Sequence, residues 1–221
     1  ISSQEVKVWV ALLLASGITI FAFLLSEYLI WRPMRSRRAN STTLIIISIG
    51  LALFVRNGII FIWGGGNQGY DLPVETALAF AGIQIPYYRL VVIGFAIAAV
   101  LGLHFLLQNT KIGKAMRAVA DDLDLARVSG IDVERVVLWT WIIAGGLTAL
   151  SGGLYGLITD VRPNMGWFLI LPLFASIILG GIGNPYGAIL GALIIGVAQE
   201  VSISFLPPAY KLAVALVVMV L

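Results

Sequence analysis

The chain has no cysteine and a single histidine, His104, among its 221 residues. Without thiols it can form neither a disulfide framework nor a thiolate metal site, and cysteine usage says nothing of its redox compartment. One histidine without carboxylate or thiol neighbours is not a metal site either. Charge is scarce too: Asp, Glu, Lys and Arg make up 11% of the residues, against 60% hydrophobic. A soluble domain of this length could not cover so much apolar surface, so the bilayer is the expected solvent. The formal net charge of +3 is too small to imply a nucleic-acid partner. Also missing are a Gly-Lys-Ser/Thr phosphate loop, a His-Glu-x-x-His pair and a Ser–His constellation in the apolar stretches. Neither an enzyme nor a cofactor- or metal-dependent protein is expected.

What is present is a series of long apolar runs. About 20 apolar residues cross a bilayer. Residues 8–30, 42–63, 87–107 and 136–158 qualify, 167–179 is apolar but short, and 188–206 follows a glycine-rich break. A last segment begins near Ala209. The expectation is an all-α, polytopic transmembrane bundle of five to seven segments, one domain over residues 1–221. The first apolar run is too long for a signal peptide and has no small-residue cleavage site. The chain starts without Met, and its last apolar run stops at Leu221. It is therefore expected to be part of a longer membrane protein, without its N-terminal helices and C-terminal end.

Basic residues in short loops set orientation. Arg32, Arg35, Arg37 and Arg38 lie in the first loop, and Lys111, Lys114, Arg117, Arg127 and Arg135 in or beside the loop after the third span. The opposite side holds Lys7, Arg89, Arg162 and Lys211. This asymmetry places the 111–132 loop in the cytoplasm and the 64–86 segment, with Asp71 and Glu75, outside. Trp31 and Trp63, at span ends, suit interfacial anchors.

The 111–132 loop is the one long, charge-rich, helix-prone island. Ile112, Met116, Val119, Leu123 and Ala126 recur at helical spacing and should share one face. Lys114, Arg117, Asp121, Asp122, Asp124 and Arg127 occupy the rest, and Gly130 stands where a helix would end. Such a helix either lies on the membrane surface or docks into a soluble partner. Surface anchors are usually basic, so the three aspartates favour a protein groove.

A second feature is the run from Leu179 to Ala188, with Gly180, Gly181, Gly183, Pro185 and Gly187. Pro185 after the glycines predicts a helix restart with Pro in its first turn, giving a tight helical hairpin. No strand or βαβ pattern surrounds it, which rules out a dinucleotide loop. Gly183, Gly187 and Gly191 recur every four residues, with Ala188, Ala192 and Gly196 beside them. Gly145, Ala149 and Gly153 repeat the device. Small residues let membrane helices approach closely, and static packing is the simplest role for them. Sliding during transport is the other.

Gly113-Lys114-Ala115-Met116-Arg117-Ala118-Val119-Ala120-Asp121, with Gly130-Ile131, resembles the cytoplasmic coupling loop of ABC-importer permeases, specifically the branched-chain amino-acid permease family. The Leu179–Ala188 run is similar to that family's glycine-rich turn. The stretch from Glu27 to Arg35 resembles its first loop, and Ile49-Gly50-Leu51 with Asn57 its next span. The resemblance covers nearly the whole chain. It implies an inner-membrane permease subunit with vitamin-importer-like (type II) packing, for branched-chain or other neutral amino acids. Urea, amide, sugar or nucleoside permeases of the same superfamily remain alternatives, and a non-ABC channel or secondary carrier is the competing class. The implied partners are cytoplasmic ABC ATPases, a second related or identical permease, a periplasmic or lipid-anchored binding protein, and membrane lipid. The ATPase-coupling residues would be Gly113, Lys114, Arg117, Ala118, Asp121, Asp122, Arg127, Gly130 and Ile131.

Polar residues inside spans are the translocation-path candidates. An intramembrane charge costs about 3 kcal/mol on insertion scales, so Arg56 should face the bundle interior, water or a partner, beside Asn57. Glu200 falls at a similar depth in its own segment. The two are expected to approach each other or to line an outward vestibule jointly; Arg56 could instead meet the carboxylate of a passing amino acid. Glu27, beside the four arginines, is expected to be a local charge partner.

Overall fold

A computed structural model describes residues 3–37, 39–67, 69–70, 78–80 and 83–220. Arg38, Asp71 and Glu75, used above to argue orientation, lie outside the described residues. The order of elements is α1 (Ser3–Ser26), a π-helical turn (Glu27–Trp31), α2 (Arg32–Ser36), α3 (Ser41–Trp63), a hairpin of β1 (Leu78–Phe80) and β2 (Ile83–Ile85), then α4 (Tyr87–Asn109). Next come α5 (Lys111–Asp121), α6 (Leu123–Val128), α7 (Val133–Ile158), α8 (Met165–Gly180), α9 (Pro185–Ser202), a 3₁₀ turn (Pro208–Tyr210) and α10 (Lys211–Val220). The three-residue strands pair antiparallel, Ala79 opposite Gln84. They are the only addition to an otherwise helical chain among the described residues.

Among the described residues, five helical stretches are long and apolar enough to cross a membrane: Trp9–Ser36, Ser41–Trp63, Tyr87–Asn109, Val133–Ile158 and Pro185–Ser202. Met165–Gly180 and Pro208–Val220 are apolar but shorter. Large apolar side chains such as Leu13, Phe21, Phe54 and Phe61 stand on the outer surfaces of these helices. Lipid tolerates that pattern and water does not. The chain is a polytopic helical membrane protein.

Two compact units form, Ile1–Val55 with Asn67–Val161, and Arg56–Gly66 with Arg162–Leu221. In the first, α1 packs along α7. A Cβ on Gly145 would press on the Ile20 backbone and the Phe23 ring, and one on Gly153 would strike Leu12. Gly145 and Gly153 therefore let α1 and α7 approach closely. Trp141 on α7 meets Phe23 edge-on at 5.6 Å and stacks on Trp31 at 6.3 Å, so Trp31 is held within the unit. Trp9 stacks on Phe95 of α4 at 5.4 Å. Near the other end of α7, Gly156 leaves room for Val161 and the Tyr70 ring. Burial there pushes the Tyr70 phenol above its usual range.

In the second unit α8 and α9 form the predicted hairpin, with α10 against both. Ala175, Ile195 and Ala215 are fully buried and Val218 and Met219 pack on them. Pro172 interrupts the donor ladder of α8, and Ser176, itself buried, donates its hydroxyl to the Pro172 carbonyl at 2.7 Å.

Candidate functional site

The amphipathic loop is built by its caps. Thr110 turns to extended backbone at the end of α4, and its Oγ1 accepts the Gly113 N–H at 3.0 Å, starting α5. Gly113 is required at this corner: a Cβ would collide with the Leu106 carbonyl and the Leu107 backbone. A single helix through Ala126 is not formed. Asp122 adopts extended backbone, φ −154° and ψ 108°, and its Oδ1 accepts the Leu125 N–H at 2.9 Å. One aspartate thus breaks the helix and caps the next. The five apolar positions accordingly do not share one face. Ile112, Met116 and Val119 are half-buried on α5, whereas Leu123 is exposed and Ala126 buried on α6.

At the far end the Ile131 N–H reaches the Ala126 carbonyl at 3.1 Å and the Gly130 N–H the Arg127 carbonyl at 3.2 Å. Gly130 has φ +83°. That is a Schellman closure, which needs a left-handed residue at this position. Asp132 then accepts the Arg135 N–H at 3.1 Å and starts α7. Ala118 is half-buried on α5 and its carbonyl takes the Asp122 N–H at 3.1 Å. Lys114, Asp121 and Arg127 are exposed. Arg117, also exposed, donates Nη1 to the side-chain Oε1 of Gln108 on α4 at 3.3 Å. On α6 the most exposed apolar side chains are Leu125 at 60% and Val128 at 82%. Between α5 and α7 lies a cavity of about 520 Å³ walled mainly by Leu106, Ile112, Ala115, Val136 and Trp139.

The first loop is fastened beside this element. Glu27, 3% exposed, is gripped by Arg35, whose Nη1 donates to Oε2 at 3.0 Å while Nη2 holds Oε1. Arg32 Nε meets Glu134 of α7 at 3.1 Å. Glu27 is thus the local charge partner expected of it; the Glu134 contact carried no sequence signal.

In the glycine-rich turn the packed row is Gly180, Gly187 and Gly191. A Cβ on Gly187 would overlap the Gly180 carbonyl, and one on Gly191 the Ser176 carbonyl. Gly181 and Gly183 serve the turn with φ +90° and +91°. Gly183 therefore leaves the expected row, and Gly180 replaces it. Of the second small-residue row, Ala188 is half-buried with its backbone against Gly180, whereas Ala192 and Gly196 are exposed within this unit, so that row packs there only at Ala188. Pro185 opens α9 as predicted, and Asn184 Oδ1 accepts the Tyr186 and Gly187 N–H groups at 3.1 Å.

The expected Arg56–Glu200 approach is replaced by two other pairs. Arg56, half-buried seven residues before the end of α3, donates Nε to Asn164 Oδ1 at 2.6 Å. Asn164 occupies the N-cap position of α8 without capping it, which frees its amide for the arginine. Glu200 accepts from Lys211 Nζ at 2.8 Å, and its side chain is 72% exposed. The physical reason is where α9 ends: the backbone tightens after Ser202, with Ser204 N–H on the Val201 carbonyl at 3.1 Å. Glu200 therefore sits at a helix end beside the start of α10 rather than at mid-helix. Asn57 is exposed.

The fold and these loops define a multi-pass helical membrane protein with a capped, two-piece amphipathic turn and a glycine-packed hairpin. The chain belongs to the family of the branched-chain amino acid transport system / permease component, whose pattern matches residues 1–221. It is 30% identical over 191 residues, 84% of this chain, to the "Probable branched-chain amino acid transport permease protein LivH" of Methanocaldococcus jannaschii, of which it covers 60%. It is 31% identical over 206 residues, 88% of this chain, to the high-affinity branched-chain amino acid transport system permease protein LivH of Salmonella typhimurium, of which it covers 65%. A shorter likeness, 33% over 102 residues, links 43% of this chain to 28% of the fructose import permease protein FrcC of Rhizobium meliloti. The chain thus spans less than two thirds of the length of each of these relatives. No solved structure matches it.

Proposed function

We propose that this chain is the permease part of a binding-protein-dependent ABC importer that moves branched-chain or other neutral amino acids across the inner membrane. Partner ATPases supply the energy, a second permease completes the pathway, and a periplasmic or lipid-anchored protein delivers the substrate. The observation that carries the proposal is the α5–α6 turn. It is capped at Thr110, Asp122 and Asp132, closed at Gly130, and turns Leu125 and Val128 outward among mixed charges. A stiff amphipathic turn suits a cytoplasmic partner whose closure drives a rigid-body switch of the spans. Family membership supports this reading, as does the name of the Salmonella relative. Vitamin-importer-like packing belongs to the same proposal.

Arg56, Asn57 and Glu200 are proposed as translocation-path residues, with Arg56 positioned by Asn164 to meet a carboxylate. The fructose permease likeness favours sugar as the competing cargo.

The test is uptake into vesicles holding the intact permease, its ATPases and binding protein. ATP-driven leucine uptake that falls at least tenfold in Arg117→Glu, with assembly intact, supports coupling through this turn. Flux that needs no ATP and is indifferent to the substitution would overturn it. Fructose in place of leucine would reassign the cargo.

A further inference from the structure

A cleft of about 790 Å³ opens between the first loop, α6 and the start of α7. Its volume lies within the range of small-molecule sites. Three guanidinium groups, Arg32, Arg35 and Arg127, and two carboxylates, Asp124 and Glu134, line it. Two of the cations are already committed, Arg32 to Glu134 and Arg35 to the buried Glu27. Internal pairing therefore leaves one guanidinium, Arg127, and one carboxylate, Asp124. Among the described residues neither has a hydrogen bond or ion pair. They stand three positions apart on α6, which makes them neighbours on one face, with Cβ atoms about 5–6 Å apart. Apart from Ser36, the remaining wall is apolar. Leu44 is the fourth residue of α3 and Val137 the fifth of α7, so the cleft lies where two membrane-length helices begin.

We infer that this cleft binds a zwitterion joining an oxyanion to a primary ammonium, with the oxyanion on Arg127 and the ammonium on Asp124. A simple anion would leave Asp124 facing like charge. The largely apolar remainder of the wall, at the ends of two membrane-length helices, makes an aminophospholipid head group the favoured source, since pockets between membrane helices at the bilayer surface take lipid head groups. A free amino acid carries the same pair of charges and is the other source.

The experiment measures the thermal midpoint of the full-length permease in neutral detergent with added short-chain phosphatidylethanolamine, phosphatidylglycerol, phosphatidylcholine or leucine. Phosphatidylethanolamine is expected to raise the midpoint more than the other two lipids. Asp124→Asn and Arg127→Gln should each weaken that response about tenfold, the loss of one charge-assisted contact. Both side chains are exposed, so folding should survive, and Arg37→Gln, outside the cleft lining, should change nothing. Leucine that stabilises the protein and competes with the lipid would keep the site and assign it to the free amino acid. Equal responses to all three lipids, a preference for phosphatidylglycerol, or a phosphatidylethanolamine response untouched by both cleft variants would each overturn the inference.

Discussion

The Glu27 carboxylate receives both terminal nitrogens of the Arg35 guanidinium from eight residues further along the chain, and only 3% of Glu27 is exposed. A buried carboxylate that loses its one cation is left desolvated and uncompensated, at a cost of about 3–5 kcal/mol. Arg35→Met should therefore lower the thermal midpoint in detergent markedly, while Glu27→Gln alone lowers it less. Adding Glu27→Gln to Arg35→Met should recover part of the loss. A double-mutant cycle measures that coupling, and additive effects would refute the pairing as a source of stability.

The α8–α9 hairpin makes a sharper contrast. Gly187→Ala places a methyl on the Gly180 carbonyl, whereas nothing lies within 4 Å of a Cβ on Gly196. Overpacking of this kind costs about 1–3 kcal/mol. Denaturation in detergent should show Gly187→Ala clearly destabilised and Gly196→Ala unchanged in the isolated permease. If Gly196→Ala instead impairs only the assembled importer, its open face is a surface for another subunit.

Asp122 and Asp121 are adjacent, acidic and exposed, yet only Asp122 caps a helix. Asp122→Ala should remove about 1 kcal/mol from the α6 turn and loosen the two-piece geometry, speeding amide exchange at Leu125. Asp121→Ala should leave that exchange alone. Asp122→Asn, which keeps the acceptor, should behave nearly as the parent.

Arg56 and Asn164 are 108 residues apart and share a 2.6 Å contact. Hydrogen bonds to charged groups contribute about 1.5–3 kcal/mol. Asn164→Ala should lower the thermal midpoint by an amount in that range, and Arg56→Gln should remove most of the sensitivity to it. Independent effects in the cycle would mean that the contact carries no coupling.

Much of this was legible in the sequence, for reasons that differ by element. Uninterrupted apolar runs marked the spans, because backbone polar groups in lipid must be satisfied within the helix. Pro185 after its glycines marked the hairpin, and Gly130 the end of α6, because those residue types fit the local backbone. Period counting makes one helix of the loop because it sees the apolar residues and ignores the cap. Thr110, Asp122 and Asp132 each carry a helix-start signal that could have divided it. The Arg56 partner was out of reach, since Asn164 is distant in sequence and looks like an ordinary cap. The apolar run continues to Leu206 while α9 ends at Ser202, four residues earlier, and that difference puts Glu200 at the helix end.

The π-helical turn at Glu27–Trp31 runs without a break into α2 and sets the angular phase of that helix. On a regular helix a residue eight positions on is rotated by about 80° from the first. One additional residue in the turn, the usual signature of a π-bulge, brings that offset to about 20° in the opposite sense. Arg35 thereby comes round to the same side as Glu27. Residue count in this short stretch thus matters as much as residue identity: every arginine could be kept, and a change of length by one would still aim them elsewhere.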